Sequence, residues 1–459
     1  MYLRYTVAAN PGTVTHIETD ELARFEKCFI AIGVVVRSFV QHMRPIIIID
    51  GAHLKGTFKG TMFLAVGMDA NNQILPIAYG IGKTESGEEW IWFMSKLKEC
   101  IGENPSLLII SDRAASIDLA IRTVFPLAYH CVCCRHLLMS LGLNGKAQND
   151  MWWATCKAYT VNDFKHHLNI LVKHRPDVLQ TLNHIPPEKW TRAFAQCNRY
   201  NYMTSNSAES VNALSVQARK LPITKVLDFF TDVTQRWYFE RRQAAEKNKN
   251  FLTPWAESKI FRRIRKCRSW TVAGINGSAF NVDDGKRRCV VDMQNRSCEC
   301  RIWQLSGLPC CHAISASTFL KESDCSQWAV HWFRSEVHRA TYAESVYSVP
   351  DPLNWEIPED FSKIATPHMN KRQAGRPPEN KRIPSKGEDS RPRECSRCHA
   401  IGHTRDRCRR PLSSEVGSSS RSIKQTNFVN SENFRQYIIE NTMSTTQNSQ
   451  KFEYNLKDF

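Results

Sequence analysis

Between residues 45 and 134 the hydrophobic period changes several times, and the order of those changes admits few folds. PIIIID (45–50) is a short β-branched apolar run. MFLAVGMDA (62–70) and ILPIAYGIG (74–82) flank Asn71-Asn72, the pattern of two strands joined by a hairpin. From Gly87 to Ile101, residues Trp90, Phe93, Met94, Leu97 and Ile101 fall on one helical stripe. LLIISD (107–112), AASIDLAIRTVF (114–125) and AYHCVCC (128–134) then read as strand, helix and strand. The order β-β-β-α-β-α-β predicts an α/β unit, a mixed sheet covered by helices.

The remainder is organised around this unit. Residues 137–240 read as mainly helical, with aromatics such as Trp152, Phe164 and Trp190 spaced as core. KIFRRIRKCR (259–268) holds six basic residues and no acid, compatible with a solvated helix face or a phosphate-contacting one. Residues 270–320 read as a small β unit. Pro, Lys and Arg replace apolar residues over 350–394, as in a linker, and the tail after Arg410 has the Ser/Asn/Gln/Thr composition of disorder. Lys plus Arg is 62 against 45 Asp plus Glu, an excess of +17 that favours a polyanionic partner, nucleic acid first. At 42% hydrophobic and 23% charged, the chain is neither collagen-like nor wholly disordered. No apolar run approaches the ~20 residues of a membrane span. The start, MYLRYTVAANPG, has neither a basic leader nor a long apolar segment, so a soluble, intracellular chain with no membrane partner is expected.

Seventeen cysteines in a reducing compartment point to metal rather than disulfides. ECSRCHAIGHTRDRC places Cys395, Cys398, His403 and Cys408 at spacings that let one small loop wrap a tetrahedral zinc ion. This resembles the zinc knuckle family, which implies binding of single-stranded nucleic acid or protein. A second set, Cys298, Cys300, Cys310 and His312, lies in CECRIWQLSGLPCCHAISA. It resembles a SWIM zinc finger, so two structural Zn²⁺ sites are expected. Cys131, Cys133, Cys134 and His136 form a weaker group, compatible with buried thiols at a strand end.

Asp50 and Asp112 each close an apolar strand. Acids at the carboxyl ends of neighbouring strands can share one crevice and a divalent cation, although Asp112 also precedes a helix and fits its N-cap. RPIIIIDGAHLKGTFKG (44–60), NQILPIAYGIGKTESGEEWIWFM (72–94), IISDRAASIDLAI (109–121), FPLAYHCVCCRHLLMSL (125–141) and TSNSAESVNAL (204–214) look like the transposase domain of plant Mutator-like elements, the MULE family. The resemblance implies an RNase H-like core with an all-helical insertion and an Asp-Asp-Glu triad. Asp50, Asp112 and Glu209, the last in Asn206-x2-Glu209-x2-Asn212, match those acids, and Cys133 and His136 match the family's CxxH element.

The organisation that follows is a lead-in at 1–44, shorter than in the family, and a transposase domain at 45–240 with its insertion near 137–203. A basic helical connector at 241–275, a SWIM-type finger at 276–322, a basic linker at 350–394, a CCHC knuckle at 395–408 and a disordered tail at 411–459 complete it. The implied activity is DNA cleavage and strand transfer with Mg²⁺ or Mn²⁺ in the nucleus, with a homo-oligomer as a further expectation. The alternative is a domesticated, non-catalytic regulator that binds promoter DNA rather than element ends. A third reading is a zinc-dependent nucleic-acid-binding protein whose sheet does no chemistry. AGRPPENKR (374–382) is reminiscent of an AT-hook but lacks an Arg before Gly375, and fits a basic linker or nuclear-import segment equally.

Overall fold

The computed structural model describes residues 1–322, 324–356, 359 and 364–367. The chain divides into two compact units. One holds Met1–His174 and Pro187–Gly387; the other holds Arg175–Pro186 and Glu388–Phe459, and its described part contains the short helix Val178–Leu182. The knuckle residues Cys395, Cys398, His403 and Cys408, the linker beyond residue 367 and the tail lie outside the described residues.

The first unit is built on a seven-stranded mixed sheet. Its strands are β1 (Val14–Thr19), β2 (Phe25–Ala31), β3 (Ile46–His53), β4 (Thr61–Met68), β5 (Ile74–Gly82), β6 (Leu108–Ser111) and β7 (Tyr129–Val132), in the order β1-β2-β5-β4-β3-β6-β7. β3, β4 and β5 form an antiparallel meander, and β6 and β7 extend it in parallel beyond β3. This is the RNase H-like, mixed α/β arrangement. Ile46–Ile49 and all of β4 are buried, which accounts for their continuous apolar runs. The hairpin turn between β4 and β5 uses Asn72 at φ +64°, a conformation Asn tolerates better than most residues.

The helix Gly87–Ile101 follows from its local chemistry. Ser86 caps it by accepting a hydrogen bond from the Glu89 amide, Glu88 and Glu89 sit at its positive end, and Trp90, Phe93, Met94 and Leu97 are fully buried. Gly102, at φ +72°, ends it. Between β7 and the helix Asn206–Leu214, the first unit inserts the helices Cys134–Ser140, Lys146–Lys157 and Val161–His174. Trp152 and Trp190 stack at 5.2 Å between ring centroids with Phe164 edge-on, so those aromatics are packing groups.

Residues 1–44 are more than a lead-in. β1 and β2 lengthen the sheet, and the helix Gly33–His42 packs against it. Their signal is weak because β1 is largely exposed and only the end of β2 carries a full apolar run. The boundary at 240/241 also falls inside an element, the 25-residue helix Ile223–Lys247. A second, four-stranded antiparallel sheet comprises β8 (Thr271–Gly274), β9 (Ala279–Asp283), β10 (Arg288–Asp292) and β11 (Ser297–Cys298). Among the described residues no helix is long and apolar enough to cross a membrane.

The chain returns to the large sheet after the second one. Asp69, fully buried beside the β4–β5 turn, accepts a hydrogen bond from Tyr342 Oη at 2.7 Å and lies 3.5 Å from His338 Nε2 and 3.9 Å from Arg241. Burial alone would raise this carboxyl, but the His338 hydrogen bond and the Arg241 charge hold it below its ordinary value. Asp69→Ala should therefore leave the buried Arg241 guanidinium uncompensated and cost about 3–5 kcal/mol, measured by urea denaturation. A loss within experimental error would mean that this network does not clamp the helix Ser335–Thr341 to the sheet.

Candidate active site and metal centres

Parallel pairing brings the first two acids together. Ile46, Ile47 and Ile48 of β3 register with Leu108, Ile109 and Ile110 of β6, so Asp50, which lies inside β3 and does not close it as the sequence suggested, and Asp112, just past β6, stand at equivalent places on adjacent strands. Asp112 Oδ1 also accepts a hydrogen bond from the Ala114 amide at 3.0 Å, a turn contact ahead of the helix Ala115–Val124, whose N-cap is Ala114 and not Asp112, the residue the sequence offered for it. Glu209 comes from the other side, on Asn206–Leu214, a helix that packs on β3 and β4. Asn212, one turn further on, donates to Asp50 Oδ2 at 2.7 Å. Burial, followed by the Asp112 charge, drives the Asp50 carboxyl up to about 7, and the Glu209 charge pushes the same way. All three acids therefore act within one electrostatic neighbourhood.

Glu209 is held from a second direction. Ser205, the residue before its helix, donates to Glu209 Oε1 at 2.9 Å, and His136 Nε2 lies 3.7 Å from the same oxygen. The Ser205 amide donates to Cys133 Sγ at 3.3 Å. Burial opposes ionisation of Cys133, yet hydrogen bonds with His136 and Ser205 hold its thiol below the usual value. His136 is raised to about 9 by its hydrogen bond with Cys133. Ligand atoms of Cys133, His136 and Glu209 lie within 4.8 Å of one another, a grouping able to hold a metal ion that the sequence did not reveal. The CxxH pair is thus joined directly to the third acid.

Two positioning groups carry different sequence signals. Asn212 follows Glu209 at i+3, so both share a helix face, and its place in Asn206-x2-Glu209-x2-Asn212 was visible. Arg219 had no signal. Its guanidinium donates to His53 O at 2.7 Å and Asn212 O at 3.0 Å, strapping the Glu209 helix to the end of β3.

The second centre joins Cys298 on β11, Cys300 just after it, and Cys310 and His312 at the start of the helix Cys311–Phe319. All four are buried, with ligand atoms within 4.8 Å of one another, and Cys298 Sγ is 3.6 Å from His312 Nδ1. Hydrogen bonds with Cys298 and Cys310 hold the Cys300 thiol well below its ordinary value. Three thiol sulfurs and one imidazole in a closed pocket are the donor set of a structural zinc ion. Asp284 Oδ2 lies 3.7 Å from His312 Nε2, where a carboxylate can orient the ring. Gly307 closes the preceding turn at φ +73°, and a Cβ there would lie 2.7 Å from Val330.

The large mixed sheet has the RNase H-like strand order, here followed by a compact Cys/His-centred module. Residues 46–140 match the family model of the MULE transposase domain, and residues 288–321 that of the SWIM zinc finger. The chain carries both modules, a pairing consistent with a Mutator-like transposase. No curated protein matches the chain.

Two measurements check these centres. Because Asp50 titrates at about 7 in the folded protein, above its ordinary 3.8, its ionisation costs stability; the penalty is absent below the lower value and complete above the upper. Asp50→Asn should raise the melting temperature of metal-free protein at pH about 8 and change it little at pH about 4. Equal effects at both would mean that burial and the Asp112 charge do not raise the Asp50 carboxyl. Cys300→Ser should lower bound zinc by one ion per chain in elemental analysis, and an unchanged content would remove the tetrad as a zinc site.

Proposed function

We propose that this chain is a DNA transposase of the Mutator-like class, cleaving and transferring DNA strands with Mg²⁺ or Mn²⁺ held by Asp50, Asp112 and Glu209. The observation that supports the reading is the parallel register of β3 with β6, which sets Asp50 and Asp112 at equivalent places on adjacent strands, with the helix that bears Glu209 packed on β3 and β4. The donors are all carboxylate oxygens, which suit a hard divalent cation that keeps positions for water and phosphate. When bound, a pair of such ions activates water or a DNA 3′-hydroxyl and stabilises the leaving oxygen of an in-line displacement.

The chain's own residues supply the frame. Asn212 fixes one oxygen of Asp50, Ser205 and His136 fix one of Glu209, and Arg219 keeps the helix bearing Glu209 and Asn212 against β3. Asp50 must lose its proton before it can bind a cation, so affinity for the metal rises with pH through the neutral range. Cys298, Cys300, Cys310 and His312 take a structural Zn²⁺, and the knuckle at 395–408 takes a second, with single-stranded nucleic acid as its partner. The substrate is DNA bearing element ends, in the nucleus, and the +17 excess supports a polyanionic partner.

Purified chain mixed with duplex carrying element ends should nick and join strands only with Mg²⁺ or Mn²⁺, and Asp112→Asn should lower the rate by at least about 10³-fold. Equal activity in both proteins would remove the acidic triad. Inactivity of both with DNA binding retained would favour the domesticated, non-catalytic regulator.

A further inference from the structure

The helix Pro254–Lys266 has two faces with different chemistry. Its buried face, Ala256 and Ile260 continued by Cys267, packs in one apolar cluster with Leu252, Leu308, Ile314 and Phe333. Arg263 belongs to this anchorage, since its Nη1 donates to the carbonyls of Leu308 at 2.8 Å and Pro309 at 2.7 Å, immediately before Cys310. The helix is therefore fixed to the SWIM module by packing and by a buried-side arginine.

The opposite face is exposed and basic. Arg262, Arg265 and Lys266 point outward, Arg268 follows just beyond the helix end, and Phe261 lies exposed among them. Among the described residues no carboxylate pairs with these four cations. The helix's one acid, Glu257, sits in its first turn and accepts a hydrogen bond from Asn250 Nδ2 at 2.6 Å. Fold stability does not call for such a face. A cation in the last turn gains about 0.3–1 kcal/mol from the helix dipole. Like charges at i,i+3 and i,i+4, here Arg262 with Arg265 and with Lys266, give back about 0.2–0.5 kcal/mol per pair. One cation would be favoured at this end; the crowding of several is not.

We propose that this exposed face is a duplex-DNA contact surface, with Arg262, Arg265 and Lys266 contacting backbone phosphates. It rests on the reading of DNA as the partner and is separate from the acidic site. Charge complementarity selects a polyanion, and side chains three and four apart share one helix face with Cβ atoms about 5–6 Å apart, so these long side chains can reach neighbouring phosphates of one backbone. Such contacts orient a duplex without reading its sequence. The helix would then hold DNA beside the zinc module while sequence selection lies elsewhere.

The test uses the full chain and a fluorescent duplex of unrelated sequence, measured by anisotropy over a salt series. The variant Arg262→Gln/Arg265→Gln/Lys266→Gln keeps good helix formers, and its zinc content and circular dichroism establish that it is folded. Loss of three phosphate contacts should weaken binding by about 10-fold or more at moderate salt and reduce the log–log salt slope by roughly 2–3. An unlabelled single strand of the same length should compete less well than the duplex. A folded variant with unchanged affinity and slope overturns this surface while leaving DNA as the partner. Preferential competition by the single strand overturns the duplex assignment. Failure of the unaltered chain to bind duplex DNA at all overturns both this surface and the DNA reading beneath it.

Discussion

Carboxyls held at the ends of neighbouring parallel strands repel one another, and a fold that keeps them together must do so through its packing. Here the restraint is the parallel register of β3 with β6, in which isoleucines pair with Leu108, Ile109 and Ile110 in a fully buried layer. Asp50 and Asp112 have no freedom to separate unless that layer slips. A one-residue slip would exchange the two buried faces of β3 and misplace every isoleucine packed on them. The hydrophobic core thus sustains an electrostatic arrangement that is unfavourable on its own, and burial followed by the Asp112 charge raises the Asp50 carboxyl.

Around that pair the molecule adds restraint from parts distant in sequence. Glu209 and Asn212 arrive on a helix beyond the insertion, fastened by Arg219 below and by Ser205, Cys133 and His136 above. The helix Ser335–Thr341 is clamped to the same sheet through Asp69, after the chain has passed through the Cys/His-centred module. Arg301, in a left-handed conformation beside Cys300, donates to the carbonyl of Ala193 and so ties that module to the end of the insertion. These links allow a closed metal centre and an open acidic one to share a single frame.

Much of this was legible in the residues. Strands β3 to β7 and the helices among them announce themselves because their periods are clean: buried strands read as apolar runs, and Gly87–Ile101 shows both its stripe and its caps. The four SWIM ligands are likewise local, within fifteen residues. Asp50 and Asp112 were visible as strand-closing acids, but their adjacency depends on pairing, which periodicity does not encode. Glu209 required the family resemblance, because the insertion removes any useful spacing. What stayed hidden were relations through space: the added strands β1 and β2, the Asp69 network, the Arg219 strap and the union of Cys133 and His136 with Glu209.

The central claim is that three acids from separate segments form one cation site. Anomalous diffraction from crystals of the chain soaked in Mn²⁺ tests it most directly. The account requires manganese density bridging the carboxylates of Asp50, Asp112 and Glu209. Density elsewhere on the surface, or none at these side chains at saturating metal and a pH above the Asp50 titration, would contradict it.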